Sequence, residues 1–197
     1  MGRFQTIVAD PPWPYHSSDL KAAPDHRPNT WDGPTGGVAA KERYGLLSMD
    51  DILWLPVRRL ASDNAHLYLW TTNSFMVEAH QVARAWGFEP KTIITWVKHK
   101  KNDPETASMK MGYWFRSATE HVLFCVRGSL RLKDKVCLPT WFYHDRQAHS
   151  AKPPAFLDMV ERASPGPYLE VFARSVRPGW DVWGNEVQST VSMMEAA

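Results

Sequence analysis

The segment Phe4 to Trp13, FQTIVADPPW, constrains this chain more than any other. Ile7 and Val8 sit in a short apolar run that reads as a buried strand. The run meets Asp10-Pro11-Pro12 without a spacer, and two prolines stop a strand because a prolyl nitrogen carries no hydrogen for the ladder. The same prolines leave the carbonyls of Asp10 and Pro11 without ladder partners. A rigid cluster of acceptors is therefore expected at the carboxyl end of a strand, the edge at which open α/β sheets bind ligands. Trp13 sets a large flat ring beside them.

Methyl transfer to an exocyclic amino group of a base is chemistry that wants this corner. Such an amine is a poor nucleophile because its lone pair is delocalised into the ring. The Asp10 side chain and the Pro11 carbonyl can each accept one N–H, steering the lone pair toward an electrophilic methyl group. Trp13 is read as a platform that stacks on the base, offsetting the few kcal/mol lost in unstacking it. The bland alternative makes Asp-Pro-Pro a turn and Trp13 a half-buried core residue.

The rest of the chain alternates short apolar strands with helices. Strands are expected at Asn64 to Trp70, Lys91 to Lys98, Glu120 to Arg127, Leu132 to Leu138, Tyr168 to Arg174 and Trp180 to Trp183. Helices are expected from Ser48, an N-cap followed by Asp50 and Asp51, to Leu60 with a break at Pro56; from Asn73 to Trp86, closed by Gly87; and from Lys152 to Arg162. This alternation predicts a single α/β domain over residues 1–187 with a mostly parallel sheet, and a frayed tail over 188–197. Two Pro-, Gly- and charge-rich stretches, near 14–44 and 99–117, read as mobile substrate loops. The first carries His16, Lys21, His26, Arg27, Trp31, Lys41 and Arg43. The second follows Lys98 and bunches Lys100 and Lys101 with Tyr113, Trp114 and Phe115, a mixture of charge and aromatic rings suited to single strands.

Composition excludes more than it selects. The 197 residues carry a formal net charge of +2 and ten tryptophans, which neither demands nor excludes a nucleic-acid partner. The two cysteines, Cys125 and Cys137, form no metal-ligand or redox pattern. A signal peptide, a membrane span, a glycine-rich dinucleotide fingerprint, a Walker loop and a Ser-His-Asp cue are all missing from the pattern. The reading is a soluble, cytoplasmic protein with no metal site and no membrane attachment.

The DPPW tetrapeptide resembles the catalytic motif of the enzymes that methylate adenine at its 6-amino group. More narrowly, the chain resembles the MT-A family, that of the catalytic subunit of eukaryotic messenger-RNA adenosine methyltransferase, with its bacterial and phage relatives. The likeness runs in order through LYLWTTN, AWGFEPKTIITWVK, GYWFRSATEHVLFCVRG, HSAKP and LEVFAR followed by GWDVWGNE. It implies a Rossmann-like, S-adenosylmethionine-dependent methyltransferase fold. Because the catalytic motif comes first and the cofactor strand late, the order is circularly permuted. Asp10, Pro11, Pro12 and Trp13 would be catalytic. Asp10, Lys152, Glu170, Phe172, Arg174, Asn185 and Glu186 would hold the cofactor, Lys152 through the donor's carboxylate; Glu170 also reads as an internal partner for Arg174. On the substrate side stand Tyr15, Tyr44, Lys98, Trp114 and Glu120.

Two departures from the family pattern are visible. Few residues precede Asp10, where the eukaryotic relatives have a segment that helps cover the donor adenine. The turn after Arg174 lacks the family's His-Asn pair, for which Arg177 or Ser175 is expected to stand in. DNA is the preferred polymer, since nothing like the eukaryotic zinc-finger targeting module accompanies this sequence. RNA, a cytosine 4-amino substrate and a catalytically silent binding subunit are the alternatives, and a homodimer or related partner subunit is the expected assembly.

Overall fold

The computed structural model describes residues 3–14, 47–101, 103–109, 114–133, 137–146 and 151–193. Strand β1 (Phe4–Ala9) is followed by helices α1 (Met49–Leu53) and α2 (Val57–Leu60), strand β2 (Ala61–Thr71), a 3-10 turn at Asn73–Phe75 and helix α3 (Met76–Ala85). Then come β3 (Glu89–Lys100), β4 (Asp103–Ala107), β5 (Thr119–Arg127), β6 (Trp141–Asp145), α4 (Pro154–Ala163), β7 (Tyr168–Val171) and β8 (Trp180–Trp183). Local chemistry sets several boundaries. Ser48 and Asp51 form a reciprocal capping box at the start of α1. Pro56 separates α1 from α2. Gly87, at φ 84°, turns the chain after α3 in a conformation that a side chain disfavours.

One eight-stranded sheet runs in the order β4-β3-β5-β2-β1-β7-β8, with β6 also paired to β3. β1 is parallel to β2 and β7, and β7 to β8. β5 is antiparallel to both β2 and β3, so β3 and its parallel neighbour β6 point the same way as β1. Six strands thus share one direction, and β4 and β5 run against it. The expected α/β fold with mostly parallel core strands is present. β1 is buried on both faces: Ile7 and Ala9 pack with Leu67, Leu69, Leu123 and helices α1 to α3, whereas Val8 packs with Tyr68, Trp70, Trp96 and α4.

Four sequence expectations are corrected. No strand forms among the described residues of 132–138; the edge strand is β6, within a stretch expected to be irregular, and it pairs with Thr95–His99. Residues 103–107, expected to be loop, form β4 and pair back on His99 and Lys100. The strand expected to reach Arg174 stops at Val171, because Phe172 turns to positive φ. The tail is packed through residue 193: Thr190 donates its N–H to the Val182 carbonyl and its hydroxyl to Asp181, and Met193 is buried in the core. The loop expected near 14–44 lies, from Tyr15 onward, outside the described residues.

Candidate active site

Strand direction gathers the site. The carboxyl ends of β1, β2, β3, β7 and β8 and the amino end of β5 share one edge of the sheet. Asp10 follows β1 there, Glu120 begins β5, Lys98 nears the end of β3, and Lys152 stands just ahead of α4. The Lys152 ammonium donates to Asp10 Oδ2 at 2.6 Å and lies 3.4 Å from Glu120 Oε2. Lys98 donates to the other oxygen of Glu120. Each cation also rests on a ring: Lys152 is 5.2 Å from the centroid of Trp70, and Lys98 4.6 Å from that of Trp96. The result is a line of alternating charge, Asp10, Lys152, Glu120, Lys98, over a floor of tryptophan.

Burial is the largest single influence on both Asp10 and Lys152. It pushes the Asp10 carboxyl up, against the opposing pull of Lys152, with Glu120 adding to the rise. For Lys152 burial acts downward, yet the carboxylates of Asp10 and Glu120 outweigh it and the net direction is up, so the ammonium is firmly held. Glu170, paired in register with Val8 and Val182, is pushed up to about 7 by burial and then by the negative charge of Asp10.

The motif residues do not all point into this site. Trp13 was expected to stack on the substrate base, but only 6% of it is exposed. Its ring stacks on Phe75 at 5.5 Å and 14°, and its indole N–H donates to the Trp70 carbonyl at 3.0 Å. Trp13 is therefore a core residue that bolts the motif to the end of β2. The Pro11 carbonyl, expected to be free of ladder bonds, accepts a local bond from the Trp13 N–H at 2.8 Å; a carbonyl has a second lone pair, so one acceptor position remains.

The other half of the site lies where β7 and β8 leave the sheet. Phe172 has φ 66°, a left-handed conformation that costs a bulky residue on the order of 1–2 kcal/mol and marks functional corners. It is buried and packs edge-on against Trp183. The Ala173 N–H donates to the Trp183 carbonyl at 2.9 Å, binding the two exits together. Gly184 is required there, since a Cβ would lie 2.1 Å from the Ala173 carbonyl oxygen. Arg174 donates to Glu186 at 2.9 Å, with Asn185 in the intervening turn. The internal partner of Arg174 is thus Glu186 and not Glu170. Arg177, expected to replace the polar pair, is instead committed to α4: it reaches Asp158 at 2.6 Å and both oxygens of Glu161 at 2.8 and 2.9 Å.

Among the expected substrate residues, Lys98 turns inward, 5% exposed, because Glu120 claims it; it is no phosphate contact. Glu120 does join the cluster. Trp114 is at the surface, 79% exposed. Tyr15 and Tyr44 lie outside the described residues. Sequence reasoning missed Trp70 and Trp96 as the floor, although both occupy strand positions on the face of Lys98 and Glu120.

The chain is thus a Rossmann-like α/β domain with permuted strand order and a charged acceptor at the carboxyl edge of its sheet. The MT-A70 family model matches residues 4–186, and the chain belongs to that family, whose methyltransferases depend on S-adenosylmethionine. It is 27% identical over 190 residues to the human N(6)-adenosine-methyltransferase catalytic subunit METTL3, covering 95% of this chain and 29% of that protein. It is 29% identical over 197 residues to the type II methyltransferase M.MunI of Mycoplasma sp, covering 94% of this chain and 78% of that one. The MT-A70-like protein of Drosophila melanogaster is 25% identical over 190 residues, with 27% of its length covered. The chain therefore spans under a third of the eukaryotic relatives named here.

The residues present suit the methyl donor. Lys152 has three ammonium protons, two of them directed at Asp10 and Glu120, which leaves one for the donor's carboxylate. Glu170 and Asp10 supply negative charge for a cationic ligand. Asn185 and Glu186, on the β8 exit, are the hydrogen-bonding groups a ribose diol requires.

Proposed function

We propose that this chain transfers a methyl group from S-adenosylmethionine to the 6-amino group of adenine in nucleic acid, with DNA as the preferred polymer. The observation that carries the reading is Asp10, an acceptor fixed at the strand edge by Lys152 beside the half-used Pro11 carbonyl. S-adenosylmethionine, when bound, supplies an electrophilic methyl group. Asp10 Oδ1 would accept one N–H of the amine and the Pro11 carbonyl the other, drawing the nitrogen out of conjugation and aiming its lone pair. The pull of Lys152 favours the ionised form of Asp10 against burial. As the nitrogen gains its fourth bond it becomes cationic, Asp10 and the Pro11 carbonyl stabilise that charge, and the proton then leaves for solvent. Trp13 acts by holding Pro11 and Pro12 in place.

The preference for DNA follows the likeness to the type II methyltransferase, the relative covered over 78% of its length. RNA, the second reading, follows the relatives named N(6)-adenosine-methyltransferases. A homodimer or a related partner subunit is the assembly we propose, in the cytoplasm. Incubation with isotopically labelled donor and duplex DNA, single-stranded DNA and RNA, followed by mass spectrometry of nucleosides, tests the reaction. Label is expected in 6-methyladenine, most strongly with DNA, and is lost in Asp10→Ala while donor binding is weakened but largely retained. Label in another nucleoside, or full activity in the variant, would refute the assignment.

A further inference from the structure

A second feature lies at the opposite end of β3. The strand carries a bulge against β5 at Lys91, between Pro90 and Thr92, which places Lys91 in an open cleft of about 400 Å³ beside the carboxyl end of α3. Arg84, Lys91 and Arg127 line this cleft with a single carboxylate, Glu89. The Arg58 side chain lies along its rim, against Gly87. Among the described residues, none of the ion pairs takes Arg58, Arg84 or Lys91. Arg127 is paired with Asp63 at 3.8 Å, which leaves Arg58, Arg84 and Lys91 as the cations of this region set against Glu89.

From this cleft β3 leads to the catalytic edge, and the face it shows on the α3 side carries apolar groups toward solvent. Helix α3 covers parts of β2, β3 and β5. On the uncovered side Thr95 pairs with Trp141 and Val97 with Tyr143, so these four side chains share a face with Ile93. Trp141 is 49% exposed and Tyr143 59%, with their rings 5.0 Å apart. Val97 is next in sequence to Lys98 of the charged cluster, so this face ends at the catalytic edge, on the far side of the sheet from the lysine. From Glu89 to Lys98 the strand spans about 30 Å.

We propose that this face, from the Arg84/Lys91 cleft to Tyr143, is a docking track for the substrate nucleic-acid strand, distinct from the base-modifying site. Bases stack on Trp141 and Tyr143, and phosphates lie against Arg58, Arg84 and Lys91. Charge complementarity selects this occupant: exposed rings on the same strand face as cations that no ion pair takes among the described residues suit a strand with aromatic bases and an anionic backbone, whereas an apolar protein surface would leave the cations unmatched. The inference rests on the reading that the chain acts on nucleic acid.

Fluorescence anisotropy over a salt series, with labelled single strands of about 24 and about 6 nucleotides as DNA and as RNA, tests it. Arg84→Glu with Lys91→Glu should weaken binding of the longer strand and lower the slope of log affinity against log salt by about 1.4, two contacts of about 0.7 each. Trp141→Ala with Tyr143→Ala should weaken it about tenfold or more. The short strand should lose less, donor affinity should hold, and Arg84→Lys with Lys91→Arg should bind as wild type. Unchanged affinity and slope in both double variants would overturn the proposal. So would a dimer that sedimentation shows falling apart in Trp141→Ala with Tyr143→Ala, since the face would then belong to a second copy. Methylation is read in parallel. If the wild type modifies no polymer yet the binding losses appear, the track stands and the reaction assignment fails. If the wild type methylates and the variants bind normally, only the track fails.

Discussion

Replacing Glu170 by glutamine isolates the charge that β7 buries beside Asp10. The carboxyl is pushed up to about 7 from an ordinary value of 4.5, by burial first and by Asp10 second. A carboxyl whose pKa is raised by folding contributes stability that is complete below about 4.5 and lost as pH rises through about 7. The rise from 4.5 to about 7, at about 1.36 kcal/mol per pH unit, sets a ceiling near 3 kcal/mol. Because Glu170 is only half-buried, solvent reduces this to about 2 kcal/mol. Glutamine keeps the shape and removes the charge, so Glu170→Gln should be more stable than wild type at alkaline pH and nearly equal to it in acid. Urea unfolding at pH about 5.5 and about 8.5 should give a stability difference that grows by about 1–2 kcal/mol between the two. Function should respond oppositely. Wild-type affinity for the cationic donor should rise as pH passes through about 7, and Glu170→Gln should flatten that rise. A stability difference independent of pH would refute the assignment of a buried titrating carboxyl at this position.

Two further outcomes follow from close packing. Gly184→Ala forces a methyl group to within 2.1 Å of the Ala173 carbonyl oxygen, backbone against backbone, so it should cost about 3 kcal/mol or more in denaturant unfolding and weaken donor binding by calorimetry. Ser164→Ala removes a fully buried hydroxyl that bonds His66 Nδ1 and the Tyr68 hydroxyl, each at 2.7 Å. With two buried groups left unpaired, thermal or urea unfolding should show a loss of about 2–4 kcal/mol, part of it recovered when Tyr68→Phe is added.

Most of the scaffold is legible in the chain alone. Apolar runs, the Ser48 cap, Pro56 and Gly87 mark β1 to β3 and α1 to α3, because these signals act between neighbours in the chain and need no tertiary partner. The catalytic corner was legible for the same reason: Pro11 and Pro12 end a strand wherever it lies. β4 and β6 were hidden because they are edge strands whose ladders depend on β3, and β6 puts tryptophan and tyrosine on its exposed face, so its sequence shows no apolar/polar alternation. Glu120 and Lys152 could be proposed as separate contacts, but their joining into one line of charge could not, since Lys152 and Asp10 lie 142 residues apart. Which groups that line takes depends on contacts made in the folded chain. Tertiary structure drew Lys98 inward to Glu120 and sent Arg177 to α4, because a cation near two possible partners is settled by which carboxylate the fold brings close. It also decided the fate of Trp13. A tryptophan after two prolines is equally suited to stacking on a base or filling a core, and the end of β2, presenting the Trp70 carbonyl and the Phe75 ring, chose the core.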